Sequence, residues 1–413
     1  MQQFRLNPQP LGIFPLPVGY LILPLVEQSS DTLALLLKGE IPVEVPLEWR
    51  FYMLALAGDL EHAYDELEND NSPEAQYNRF VLQSSPSEYV RLNNSLEGEF
   101  KFLLQVVAYT LGYIAQPPAE VDDITPVLAA LVLMAQATYC LELNEPEYAI
   151  TLLERAVEVA RPVSPIFAAQ LLGTLADTKR TSQGSNYTII QEYQEAIRLL
   201  ESSNLAVACG ELWLNLGIAN HELAQGRRSV LLEAARCYQE ALQTLDREKS
   251  PELFAMAQSN LALAYLAMPL QEASDRLRVA IAVQALRAAL EVYRRETHPE
   301  MWASTQLNLA NALVYLPSGH PEDNLVQAVE IYEELLGVRS RENDPAGYAR
   351  LLANQGNVLS HLGIFNHAIS KLQEAITLFE SCGEAEAAAS VAGLLEQLEL
   401  HQTAGAGLDN GNS

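Results

Sequence analysis

The chain has 413 residues, 49% of them hydrophobic, which is ample material for packed cores and excludes a disordered polymer. Its 53 acidic and 25 basic residues give a formal charge of −28, which excludes a nucleic-acid binder, because phosphate recognition needs clustered Lys and Arg. Residues 1–160 carry 23 acids against 7 bases. That surplus keeps the chain soluble by self-repulsion, or it meets a basic partner near the N-terminal third.

In chain order, Leu11 to Val26 is apolar but broken by Pro15, Pro17 and Pro24, too short and too interrupted to cross a bilayer as a helix. Only Arg5 precedes it and no small-residue cleavage site follows, against a signal peptide. Residues 1–46 are expected to form a Pro-rich extended arm packed on the end of the array that follows, with docking onto a second copy as the alternative. Residues 47–68 predict one helix pair, with Trp49, Leu54 and Leu56 ahead of Gly58-Asp59, then Ala63 and Leu67. The pattern over 73–115 is helical but does not phase with the later repeats, so 47–120 is expected to be a divergent helical cap. Pro117-Pro118 and Asp122-Asp123 mark the break after it.

From there a two-part motif returns six times. A first helix places a small residue, Gly or Ala, at 137, 173, 217, 262, 310 and 356, best seen in Trp213-x-x-Leu216-Gly217. A second helix carries an apolar stripe at i, i+4 and i+7, which share one face. The stripes are Ala149/Leu153/Ala156, Ile189/Tyr193/Ala196, Ala234/Tyr238/Ala241, Ala282/Leu286/Ala289, Ala328/Tyr332/Leu335 and Ala368/Leu372/Ala375. The small residue is expected where the second helix crosses the first closely.

These residues resemble the tetratricopeptide repeat (TPR) family, whose pattern is W-x₂-L-G-x₂-Y followed by A-x₃-F, over roughly 121–401. The last copy is nearest the pattern, with Gly356, Gly363, Phe365, Ala368 and Ala375 in register. The resemblance implies an all-α, right-handed superhelical solenoid of helix hairpins. The chain departs from the family in length: the four inner copies carry insertions of 4, 5, 8 and 6 residues between their two helices, giving repeats of about 44–48 residues. Segments such as Ala267 to Val279 and Leu316 to Asn324 are expected to lengthen helices or loops along one edge, the latter a loop because of Pro317, Gly319 and Pro321. A helix from about Ala385 to His401 should cap the array, and 402–413 should be a disordered tail.

No nucleotide loop, nucleophile elbow or HExxH sequence is present, so no enzyme is expected. The four cysteines, Cys140, Cys209, Cys237 and Cys382, match no metal-ligand spacing, and no cofactor or metal is expected. His221 and His361 are read as contact or solvated residues, and His298-Pro299-Glu300 and His320-Pro321-Glu322 as helix starts.

One polar constellation recurs with the repeats. Asn215, Asn260, Asn308 and Asn354 stand two before the small residue of the first helix, and Asn311 and Asn357 one after it. An amide offers both donor and acceptor, so a line of them can hold the backbone of an extended peptide without reading its sequence. In peptide-binding relatives, asparagines at these places resemble those that grip ligand main chain. Asparagine is also frequent there in the family at large, where it ties neighbouring helices together, and both readings stand at this point. The basic residues of a carboxylate clamp are missing: the equivalent positions hold Leu214, Ser259, Leu307 and Ala353, with Arg350 the lone exception. The expectation is a non-enzymatic, cytoplasmic scaffold, adaptor or assembly chaperone that holds a protein segment, basic in character, in a concave groove without inserting into membranes. The alternatives are a ligand-gated regulator whose superhelix changes pitch and a homo-oligomer joined through the arm.

Overall fold

Proline sets many of the helix starts. Lacking an N–H and fixed near the helical φ, it is suited to the first helical position, where that N–H has no partner in any case. A computed structural model describes residues 6–27, 29–119, 122–269 and 275–409, with side chains through Leu400. Among the described residues there are 19 α-helices and two short 3-10 helices, with no strand.

The chain divides into two compact units, Met1–Leu223 and Ala224–Ser413. The first begins with α1 (Ser30–Leu37), α2 (Arg50–Leu56), α3 (Leu60–Asp65), α4 (Pro73–Leu82), α5 (Pro86–Ser95) and α6 (Gly98–Thr110). It continues with α7 (Pro126–Glu142), α8 (Pro146–Ala160), α9 (Pro165–Gln183), α10 (Tyr187–Leu200) and α11 (Ala206–Ala224), whose last residue opens the second unit. The second unit holds α12 (Arg228–Thr244), α13 (Pro251–Leu266), α14 (Asp275–Leu290), α15 (Pro299–Leu313), α16 (Pro321–Val338), α17 (Pro345–His361), α18 (Phe365–Ser381) and α19 (Ala385–Asp409). Proline occupies the first turn of α7, α8, α9, α13, α15, α16 and α17, which includes both His-Pro-Glu starts. In each unit consecutive helices pack on one another, the arrangement of a TPR-like solenoid.

The six first helices of the motif are the odd-numbered helices from α7 to α17, and the six second helices are the even-numbered ones from α8 to α18. Every stripe residue is buried, and Tyr193, Tyr238 and Tyr332 rank among the largest fully enclosed side chains. The small residues are buried too, but they do not all face the same neighbour. A Cβ on Gly356 would lie 2.9 Å from Leu372 Cγ and 3.2 Å from the Ala368 carbonyl, both on the following second helix, as expected. A Cβ on Gly173 would lie 2.5 Å from Leu212 Cδ2 on α11, the next first helix, so the close approach there is between repeats.

The insertions are absorbed largely by helix. α9 continues from Gly173 to Gln183, whereas α7 stops at Glu142 after Ala137. α12, α14 and α16 begin about two turns ahead of Ala234, Ala282 and Ala328, whereas α8 and α18 begin about one turn ahead of their stripes. The loop expected over Leu316 to Asn324 is cut short by α16, which starts at Pro321. Of the other expected insertion, residues 270–274 lie outside the described residues. The early start of α14 is held by a buried ionic cluster: the Asp275 carboxylate, 1% exposed, accepts from Arg278 at 2.7 Å and Arg228 at 3.1 Å.

Two termini differ from expectation. The stretch 1–46, expected to be extended, turns repeatedly over 11–20, where Val18–Tyr20 is a 3-10 helix, and contains α1, which buries Leu36. α19 runs to Asp409 instead of ending near His401, and 410–413 lie outside the described residues. The run Thr-Ala-Gly-Ala-Gly-Leu that follows holds no proline to stop the helix, though its two glycines weaken it.

Candidate functional site

An extended apolar segment cannot satisfy its own backbone, so burying one requires partners from elsewhere. The arm shows how this chain supplies them. Leu11, Ile13, Leu21, Ile22 and Leu23 are buried within their own unit. The Asn78 amide on α4 holds Ile22 from both sides, donating to its carbonyl at 2.7 Å and accepting from its N–H at 2.8 Å. Gln9 does the same for Leu23, at 3.0 and 2.8 Å. The Tyr77 hydroxyl and the Trp49 indole donate to the carbonyls of Tyr20 and Pro24. The buried Glu99 carboxylate accepts from the N–H groups of Leu6 and Thr125. The arm then crosses to the repeats, where Gln170 on α9 donates to the Ile13 carbonyl at 2.7 Å. Gly12, at φ +72°, lies so close to Phe167 that a Cβ would come within 2.4 Å of its ring. The arm therefore packs over the cap helices and onto the first helix of the second repeat.

Beside that crossing lies a cavity of about 790 Å³. The arm, at Ile13–Pro15, forms one wall; α9 contributes Gln170, Gly173, Thr174 and Asp177, and α11 contributes Val207, Glu211, Leu212 and Asn215. Its polar groups are unevenly committed. The Thr174 and Thr178 hydroxyls donate back to carbonyls of their own helix. Asp177 accepts from Arg180 at 2.7 Å and from the Tyr193 hydroxyl at 3.1 Å, and Arg180 reaches Glu222 at 2.8 Å. Burial first, and the Asp177 charge second, hold the Tyr193 hydroxyl above the ordinary phenol value. Glu211 has no ion pair or hydrogen bond among the described residues. Its carboxyl keeps some solvent contact, but crowding raises its pKa above 4.5, and the nearby Asp177 charge adds to the rise. The arrangement is an apolar recess with one committed and one uncommitted carboxylate, ready to accept hydrogen bonds from a cationic or amide donor.

The asparagines fall into two groups. Asn311 and Asn354 are brought together: the Asn354 amide donates to Asn311 Oδ1 at 3.1 Å, and the Tyr332 hydroxyl donates to the same oxygen at 2.6 Å. One amide oxygen thus joins α15, α16 and α17, the helix-tying role. Asn215, Asn260, Asn308 and Asn357 are half-buried and make no side-chain hydrogen bond among the described residues. Asn215 lines the cavity. The other polar groups there, Asp177, Glu211 and Gln170, escaped sequence reading because their one common signal is position on the first-helix face. Asn78 lies in the stretch that does not phase with the repeats.

His221 is half-buried, and desolvation lowers its pKa, keeping it neutral at pH 7. Burial pushes the Cys237 thiol up to about 12, so it packs as a small apolar group. Among the described residues, no group of three or more His, Cys, Asp or Glu side chains is placed to hold a metal ion, and no helix is long and apolar enough to cross a membrane.

No protein-family model and no curated protein matches the chain. Among solved structures it is similar to the apo form of RapI, at 13% identity, with 86% of this chain and 97% of that one covered and a TM-score of 0.47. It is also similar to the APC/C hetero-tetramer Cut9–Hcn1, at 16% identity, covering 85% and 62%, with a TM-score of 0.44. A third is the C-terminal part of a TPR repeat-containing protein from Cytophaga hutchinsonii, at 14% identity, covering 72% and 97%, with a TM-score of 0.37.

Proposed function

We propose that the protein is a non-enzymatic cytoplasmic scaffold, adaptor or assembly chaperone that holds an extended, basic segment of a partner protein against its first helices. The observation that carries this reading is the cavity between α9, α11 and the arm. Apolar walls supply contact area, Asn215 supplies a donor and an acceptor, and Glu211 supplies an unpaired carboxylate. The arm supports it by analogy within one molecule, since Asn78, Gln9 and Gln170 already hold an extended apolar segment by its backbone. Within the second unit, Asn311 and Asn354 belong to the helix-tying network, and Asn260 and Asn308 keep their amides without a side-chain partner among the described residues.

The acidic surplus of the chain favours a basic segment, and electrostatic attraction speeds such encounters. A cellulose array of ten-residue peptides, probed with the full-length protein, tests the reading. Binders should be enriched in Lys or Arg flanked by apolar residues, and the Glu211→Gln variant should lose that enrichment. Binding indifferent to peptide charge, or none at all, would remove the cavity from the account.

A further inference from the structure

We propose that a second cavity, within the Ala224–Ser413 unit, binds a small amphipathic anion: an apolar ring or chain bearing a carboxylate. This cavity shares no lining residue with the segment-binding site and measures about 580 Å³, a size typical of small-molecule sites. It lies where the start of α15, the end of α16 and α17 come together, with Trp302, Leu307, Leu335 and Leu351 as its apolar surface. Trp302 is only 7% exposed, so its ring is a fixed wall.

The polar lining inverts the charge of the whole chain. Two guanidiniums, Arg295 and Arg339, face it against one carboxylate, that of Glu300, among the described lining residues. Arg295 sits over the Trp302 ring at 5.8 Å from its centroid and has no carboxylate within ion-pair distance among the described residues. Asp344 pairs with the other guanidinium, Arg339, at 2.9 Å, and Glu291, four residues before Arg295, pairs with Arg247. A guanidinium resting on an aromatic face keeps its planar fork free, and that fork matches a carboxylate with two parallel hydrogen bonds. The first turn of α15, at Pro299 and Glu300, forms part of the same wall, and the helix dipole there favours negative charge. Apolar wall, free guanidinium and helix start together select an anion with a hydrophobic body; a bare inorganic ion would leave the indole and leucine surface unused.

Isothermal titration of the full-length protein with 1-naphthoate and with neutral 1-naphthamide tests the assignment. Naphthoate should bind at least about tenfold more tightly than the amide, because only the acid engages the fork. Arg295→Gln should abolish that preference, and Arg295→Lys, which keeps the charge without the fork, should fall between. Equal binding of the two probes, no heat with either, or an unchanged naphthoate affinity in Arg295→Gln of native circular dichroism would overturn the proposal. The comparison of the two probes on the unaltered protein needs no variant to fold.

Discussion

At the scale of single residues, the same side-chain type does opposite work in different places. Asn311 accepts from Tyr332 and Asn354 and so ties three helices, whereas Asn357, in the position matching Asn311, and Asn260 and Asn308, in the position matching Asn354, make no such bond among the described residues. Replacing Asn311 with Ala leaves the Tyr332 hydroxyl without its acceptor in a largely buried position. A loss of about 1–3 kcal/mol is expected in chemical denaturation, whereas Asn308→Ala should stay within about 0.5 kcal/mol. The asparagine positions were legible in the sequence because they keep phase with the small residues. Which of them meet was not, because Asn354 finds Asn311 across a repeat boundary, through side-chain directions that spacing does not encode.

Glu211 carries a prediction about pH. Its folded pKa is raised above 4.5, so the folded protein holds this proton more tightly than the unfolded chain does. Ionisation of the group therefore costs stability, and the cost grows as pH rises through the window just above 4.5. Glu211→Gln should melt at an equal or higher temperature than wild type at pH 7, and the gap should vanish at pH 4. A variant less stable at pH 7 would show that Glu211 has a stabilising partner.

At the scale of elements, the first and second helices of all six repeats were readable, since period and small-residue phase fix both. Their lengths were less so. The insertions after Gly173 and before Ala234, Ala282 and Ala328 could have formed loops or helix by spacing alone, and helix formers such as Leu231, Leu232 and Glu233 decided for helix. The arm was legible as an apolar, proline-broken segment, yet its seat on α9 was not, because Gln170 and Phe167 lie some 150 positions away in sequence and carry no local signal.

The arm also yields the strongest expectation at this scale. Gly12→Ala adds a Cβ at a positive φ and against the Phe167 ring, combining backbone strain with overpacking, each worth about 1–3 kcal/mol. Hydrogen exchange should then rise at Leu11–Leu23, while α15 to α18 keep their protection. Asn78→Ala, which leaves both Ile22 backbone groups unsatisfied, should loosen the same stretch. Unchanged exchange in both variants would mean that the arm is held by other contacts.

At the scale of the whole molecule, the repeat architecture follows from composition and period, and the division into two compact units does not. The sixfold motif runs through the boundary at Leu223–Ala224 without a change of phase, so nothing in spacing marks it. The acidic character, by contrast, is plain in the sequence, and its bearing on function becomes specific at Glu211, in a cavity that needs arm, α9 and α11 together. Truncating residues 1–26 removes one wall of that cavity and should weaken binding of basic peptides while leaving α12 to α19 folded, which circular dichroism and peptide anisotropy together can read.

The proposed function turns on a basic, extended segment held against α9 and α11. Hydrogen–deuterium exchange of the full-length protein, with and without the best peptide from the array, tests it most directly. Protection confined to Pro165–Gln183, Ala206–Ala224 and the arm near Ile13, and lost in Glu211→Gln, is the predicted result. A bound peptide that leaves those helices unprotected, or that protects them equally in Glu211→Gln, would contradict it.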